Sequence, residues 1–160
     1  MIWTFEVEGK PRPKGSLKCL GAGRGKPHNM IESVESSVPW KLAAIRTIRR
    51  EFGIEPIKNG HKVVGWLRRG VAWEPFGAVA VWAAFYFVRE RGVGGEVLPS
   101  HSRPWPDADD IGDTDKLCRN LGDALEQSGL IGNDRGIVEW SAAKLWTPDR
   151  ARMVVSVEER

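Results

Sequence analysis

A chain of 160 residues, 41% hydrophobic and 28% charged, is long enough to bury a core and is expected to form a single domain over residues 1–160. It shows no apolar run near the ~18 residues of a membrane span and no secretory leader pattern, so a soluble protein is expected. Two isolated cysteines, Cys19 and Cys118, argue against structural zinc and for a reducing cytoplasm, and a net charge of +3 is too small to announce nucleic-acid binding by itself.

The first element in chain order is IWTFEVE. It alternates Trp3, Phe5 and Val7 against Thr4, Glu6 and Glu8, the pattern of a half-buried strand. Residues 9–30 follow as a basic loop punctuated by Gly and Pro. Its stretch GKPRPKGSLKCLGAGRGKPH holds six Lys or Arg and no acid, whereas acids cluster between Asp107 and Asp134. From about Ser37, the apolar residues Val38, Leu42, Ile45, Ile48 and Phe52 recur at helical spacing. Ser36 or Ser37 suits the cap and Pro39 the first turn.

Within residues 53–77, KVVGWL and GVAW read as a hairpin joined through Arg68 and Arg69. Ala78 to Val88 is apolar on both faces and rich in β-branched and aromatic residues, as a central strand is. Residues 89–106 form a second loop. Next, Leu117, Leu121, Ala124, Leu125 and Ser128 mark a helix stripe that stops at Gly129. IVEWSAAKLW and RMVVSVE close the chain as two strands around a TPD turn. The expected fold is α+β: a small mixed sheet of about four or five strands packed against two main helices in two layers. Trp3, Trp82 and Trp140 read as core, and Trp105 as packed in its loop, with stacking on an unpaired base as the alternative.

The chemistry concentrates in GDTDKLCRN. Asp113 and Asp115 straddle Thr114, and in an extended segment residues i and i+2 share a side, within reach of one divalent ion. Mg²⁺ is held by few carboxylates and keeps waters, so two or three Asp suffice, with Asp134 after GLIGN as the third. The same pair also fits an N-cap and a favourable first-turn charge. An EF-hand is excluded, because Ile111 and Cys118 occupy its fifth and twelfth loop positions. Asp107, Asp109 and Asp110 read as solvated loop acids. Arg119 lies four residues from both Asp115 and Asp123, which makes either a surface salt-bridge ladder or a guanidinium beside the metal.

GDTDKLCRNLGDALEQSGLIGNDRGIVEWSAAKLW resembles the core of RusA-type Holliday junction resolvases over about 35 residues with no gap. EPFGAVAVWAAFYF resembles the preceding strand of that family, and GKPRPKG its N-terminal loop. The resemblance implies a RusA-like fold and a homodimeric, Mg²⁺-dependent (or Mn²⁺-dependent) endodeoxyribonuclease. Such an enzyme resolves four-way junctions by paired symmetric nicks in bacterial or phage recombination and repair, without a small-molecule cofactor. Asp113, Asp115 and Asp134 would be the metal-binding catalytic acids. Asn133 stands where the family more often has an Asp, and offers a carbonyl oxygen without charge. Arg119 stands at the position of a catalytic Lys, and keeps the charge but cannot give up a proton. Lys10, Arg12, Lys14, Lys18 and Arg24 would contact phosphates, with Lys116 beside the acids. Two alternatives stay open: a broader nuclease for flaps or branched DNA, and a junction-binding protein with weak catalysis. Residues 53–75 are longer than the family's usual connection at that point.

Overall fold

The fold was analysed in a computed structural model, which describes residues 1–15, 17–19, 30–32, 37–109 and 111–160. Strand β1 (Ile2–Glu8) buries Trp3, Phe5 and Val7 and exposes the residues between them, as its alternation predicts. Two short strands, β2 (Leu17–Cys19) and β3 (Met30–Glu32), pair antiparallel inside the segment read as an irregular loop.

Helix α1 (Ser37–Phe52) starts where expected, with Pro39 in its first turn, but its buried face is rotated. Trp40, Ala44, Ile45 and Ile48 face the core, while Val38 and Leu42 are 42% and 47% exposed. Both stripes satisfy a 3.6-residue period. The Trp40 stripe prevails because it buries the larger side chain.

The next segment is a three-stranded antiparallel meander of β4 (Ile54–Asn59), β5 (Lys62–Arg68) and β6 (Val71–Trp73). The expected hairpin is its second half, turning at Arg69 and Gly70, both with positive φ. Strand β4 was not expected, since Pro56 and three polar residues hide its pattern.

Strand β7 (Val79–Val88) runs through the middle of the main sheet. A loop with one 3-10 turn at Pro99–His101 then leads to α2 (Thr114–Ser128), which buries Leu117, Leu121, Ala124, Leu125 and Ser128. Gly129 ends the helix in the left-handed conformation, at φ 83°. Strands β8 (Ile137–Thr147) and β9 (Arg152–Glu159) follow, but do not pair with each other as two strands around a turn would suggest. The sheet order is β1-β9-β7-β8, with β7 antiparallel to β9 and parallel to β8. β7 takes the place between them because it is apolar on both sides, as a central strand must be.

The architecture is therefore α+β, with both helices packed on one face of the four-stranded sheet and the meander beside them. One core joins Trp3, Phe5, Phe85, Phe87, Met153 and Val155 of the sheet to the inner faces of α1 and α2. Trp82 is half-buried and lies under the Arg160 guanidinium, outside that core. No helix among the described residues is long and apolar enough to cross a membrane.

Candidate functional site

The site is assembled at the N-terminal half of α2. Gly112 turns the chain into the helix at φ 78°, a conformation that favours glycine, and a Cβ there would stand 2.6 Å from Pro13 Cγ. Lys144 of β8 donates to the Gly112 carbonyl at 3.0 Å. Asp113 is the N-cap residue by position, with extended backbone, but its side chain makes no capping bond. Its carboxylate instead pairs with Lys116 at 2.9 Å. The Lys116 hydrogen bond and charge hold the Asp113 carboxyl below its ordinary range, helped by Lys144, and Lys116 is raised in return.

Because Asp115 already lies in the first helical turn, the extended i, i+2 argument for a shared side does not apply. Asp115 pairs with Arg119 at 2.6 Å. The ladder ends there. Asp123 turns to Lys14 at 2.7 Å, with Lys41 at 3.9 Å.

Asp134 opens a 3-10 turn, Asp134–Gly136, which leads into β8. Its backbone N–H donates to the Glu126 carboxylate of α2 at 3.2 Å, which ties that turn to the helix. Asp115, Arg119 and Asp134 line one cavity of about 370 Å³, with Cys118, Ile137 and Trp140 among its other walls. Gly122 forms its floor: a Cβ there would lie 3.8 Å from Asp134 Cβ and 3.8 Å from Trp140 Cζ2. Two carboxylates separated by a helix and a turn in sequence thus line one cavity together with one guanidinium. Asp113 does not line the cavity, and Asn133 uses its Oδ1 to accept the Arg135 N–H at 2.9 Å.

The donor set bears on a divalent cation. Asp115 and Asp134 offer hard oxygens in an open cavity, which suits Mg²⁺ held by one or two carboxylates with retained water. Among the described residues no three His, Cys, Asp or Glu side chains are grouped to enclose an ion. The donor set that lines the cavity is two carboxylates, Asp115 and Asp134.

Arg12 and Lys14 of the basic segment are docked on the same helix. Lys14 N–H donates to the Lys116 carbonyl at 3.0 Å, and the buried Asn120 side chain donates to the Arg12 carbonyl at 2.8 Å. Lys10 pairs with Glu90 at 3.1 Å. Two of the expected phosphate contacts, Lys10 and Lys14, therefore already hold carboxylates. Of Lys18 only the backbone is described, and Arg24 lies outside the described residues.

Several residues at the site were not singled out from the sequence. Cys118 faces the cavity, and burial first, then Asp115, pushes its thiol up to about 11. Trp140, expected in the core, is 37% exposed at the cavity wall. Gly122 carried a signal, as a glycine inside an otherwise regular helix stripe. Lys144 and Glu126 carried none, since their roles come only from tertiary contact. No family model matches the chain, and no curated protein matches it either.

Proposed function

We propose that this chain is a divalent-metal-dependent endodeoxyribonuclease acting on branched DNA, with four-way junctions as the preferred substrate. The observation that carries the reading is that Asp115, Arg119 and Asp134 line one open cavity, on the helix that also receives Lys14 of the basic segment. The RusA-like spacing of the same residues supports it.

Asp115 and Asp134 would hold the cation. When bound, it would supply Lewis-acid stabilisation and a water acidic enough to attack a phosphodiester. Arg119 keeps guanidinium donors beyond its bond to Asp115 and can orient a phosphate oxygen. As an arginine it contributes charge and geometry, not proton transfer. Glu126 fixes the turn that carries Asp134. Lys116 and Lys144 bring positive charge beside Asp113, where a phosphate backbone would pass. Paired nicks at symmetry-related points call for two such sites, which a homodimer with a twofold axis supplies.

A second reading, a junction-binding protein with little cleavage, is favoured by one observation: Asp113 and Asn133 are occupied by Lys116 and the Arg135 N–H. The deciding experiment is cleavage of a mobile four-way junction against duplex, flap and fork controls, in Mg²⁺, Mn²⁺ or EDTA. Asp115→Asn and Asp134→Asn are expected to lose at least about a hundredfold in cleavage rate while binding in EDTA is kept. Undiminished cleavage by either variant would remove the site assignment. Junction binding without nicking in either metal would establish the second reading.

A further inference from the structure

Trp140 reaches the cavity by a local irregularity of the sheet. Along the β7–β8 ladder, Val79 pairs with Ile137 and Ala80 with Glu139, so Val138 is an extra residue on β8. Val79 and Val81 lie on the same face of β7, both fully buried against the helices, and their partners are Ile137 and Trp140. Ile137 and Trp140 are three residues apart, and in a regular strand an odd spacing would put them on opposite faces. The bulge at Val138 brings both to the helix side, the kind of re-aiming that bulges perform next to sites.

Once there, Trp140 does not complete the core. Its partner Val81 is 0% exposed, while the Trp140 side chain stays 37% exposed at the open edge of the sheet. Trp3, Trp66, Trp73, Trp82 and Trp146 each have an aromatic ring or a guanidinium against them. Like Trp40 and Trp105, Trp140 has no ring, guanidinium or hydrogen-bond partner among the described residues, but of the three only Trp140 lines the cavity of Asp115 and Asp134. On the helix side it faces Gly122, where an added Cβ would lie 3.8 Å from Trp140 Cζ2.

The cavity also holds more apolar wall than a metal and a phosphate require. Both of those ask for oxygen donors and charge, which Asp115, Asp134 and Arg119 supply on one side. Ile137, Trp140 and the Gly122 floor add an apolar side to the same space of about 370 Å³. The component of a nucleotide that fits an indole face and an aliphatic wall is the base. Within a continuous duplex both faces of each base are already covered by neighbours, so only an unpaired or splayed nucleotide can offer one.

We propose that Trp140 is a stacking platform for an unpaired nucleobase adjoining the phosphate that Arg119 orients in the cavity of Asp115 and Asp134. The site then takes DNA with an unstacked nucleotide at its branch point, and the indole positions that strand without touching the reacting atoms. This rests on the nuclease reading for the identity of the strand, but its test does not depend on cleavage.

The experiment places 2-aminopurine at the branch point of a four-way junction and measures its fluorescence and the affinity in EDTA, with a fully paired duplex of equal length as control. The native chain and Trp140→Phe, which keeps an aromatic face, are expected to quench the probe. Trp140→Ala is expected to lose the quenching and to weaken junction binding about five- to hundredfold, with duplex affinity unchanged. Circular dichroism and thermal melts establish that each variant is folded. Quenching that persists in Trp140→Ala, or equal losses on junction and duplex, would overturn the proposal. Trp140-dependent quenching by a native chain that cuts nothing in Mg²⁺ or Mn²⁺ would support the stacking role and remove the nuclease reading instead.

Discussion

The two ends of α2 are held in opposite ways. The C-terminal end is gripped by the meander and α1: Trp66 lies against Gly129, and Trp73 Nε1 donates to the Gly129 carbonyl at 2.8 Å. Arg49 stacks on Trp66 and donates to the carbonyls of Gln127 at 2.7 Å and Ser128 at 3.3 Å. These contacts satisfy the orphan carbonyls of the last turn while covering them with indole rings. The charged side chains of the first turn make solvent-exposed ion pairs instead, Asp113 with Lys116 and Asp115 with Arg119. Exposed pairs contribute little, so their partners can be exchanged for a cation or a phosphate at small cost. One end anchors the helix, and the other leaves its charged groups free to change partners.

The largest effect that separates the ends is Gly129→Ala. The new Cβ would overlap the Trp66 indole, and the residue would have to adopt φ 83°. Left-handed strain of about 1–2 kcal/mol and overpacking of about 1–3 kcal/mol combine to an expected loss of about 2–5 kcal/mol. Urea unfolding measures it, and junction binding per folded molecule should not change. A loss under about 1 kcal/mol would mean that the anchored end is no tighter than the open one.

The middle of the helix, between these ends, shows where wet surface gives way to dry interior. Cys118 is three residues after Asp115 yet its thiol is pushed from 9.0 to about 11, chiefly by burial. At pH 8 its thiolate fraction, and with it the rate of alkylation by iodoacetamide, should be about a hundredfold below that of an ordinary thiol. The rate is read in a Cys19→Ser background against the same chain in urea. The sign for stability follows: between about pH 9 and pH 11 the unfolded thiol ionises while the folded one stays protonated, so stability falls as pH rises through that window. Alkylation at pH 8 as fast in the folded chain as in urea would place Cys118 on the exposed side of the boundary.

This division was partly legible in the sequence. The anchored end was, because the stripe from Leu117 to Ser128 and the stop at Gly129 depend on local periodicity and a single backbone conformation. The carboxylates and Arg119 were picked out by spacing, and the alternation of Trp3, Phe5 and Val7 gave away β1 for the same reason. What could not be read is phase and pairing. Trp40 and Leu42 head equally periodic stripes, and only packing on the sheet chooses between them. The order β9-β7-β8 puts a strand from earlier in the chain between two strands adjacent in sequence, a pairing that leaves no local mark. Trp140 was misassigned because a skipped residue such as Val138 leaves no mark on composition or period. Lys14 and Asp123 are 109 positions apart, and a loop cation that finds a helix carboxylate is a tertiary event.

Gly122 is where the two halves of the comparison compete, and it carries the smallest and most specific effect. A glycine in the interior of a helix lowers stability by about 1 kcal/mol relative to alanine, so its presence runs against helix propensity. Steric exclusion does not explain it. A Cβ would meet Ile137 Cδ1 at 3.6 Å and Asp134 Cβ and Trp140 Cζ2 at 3.8 Å, all ordinary contacts. What the missing methyl group leaves is room in the cavity between Asp115, Asp134 and Trp140. Gly122→Ala is therefore expected to raise stability by about 0.5–1 kcal/mol and to weaken binding of branched DNA in EDTA. Thermal melts and junction titration read the two effects in one variant. If the variant is both more stable and equally able to bind, the cavity floor does not matter to the ligand, and the open end of α2 extends no further than Arg119. If stability rises while binding falls, the glycine marks a place where helix stability is given up to keep the site open.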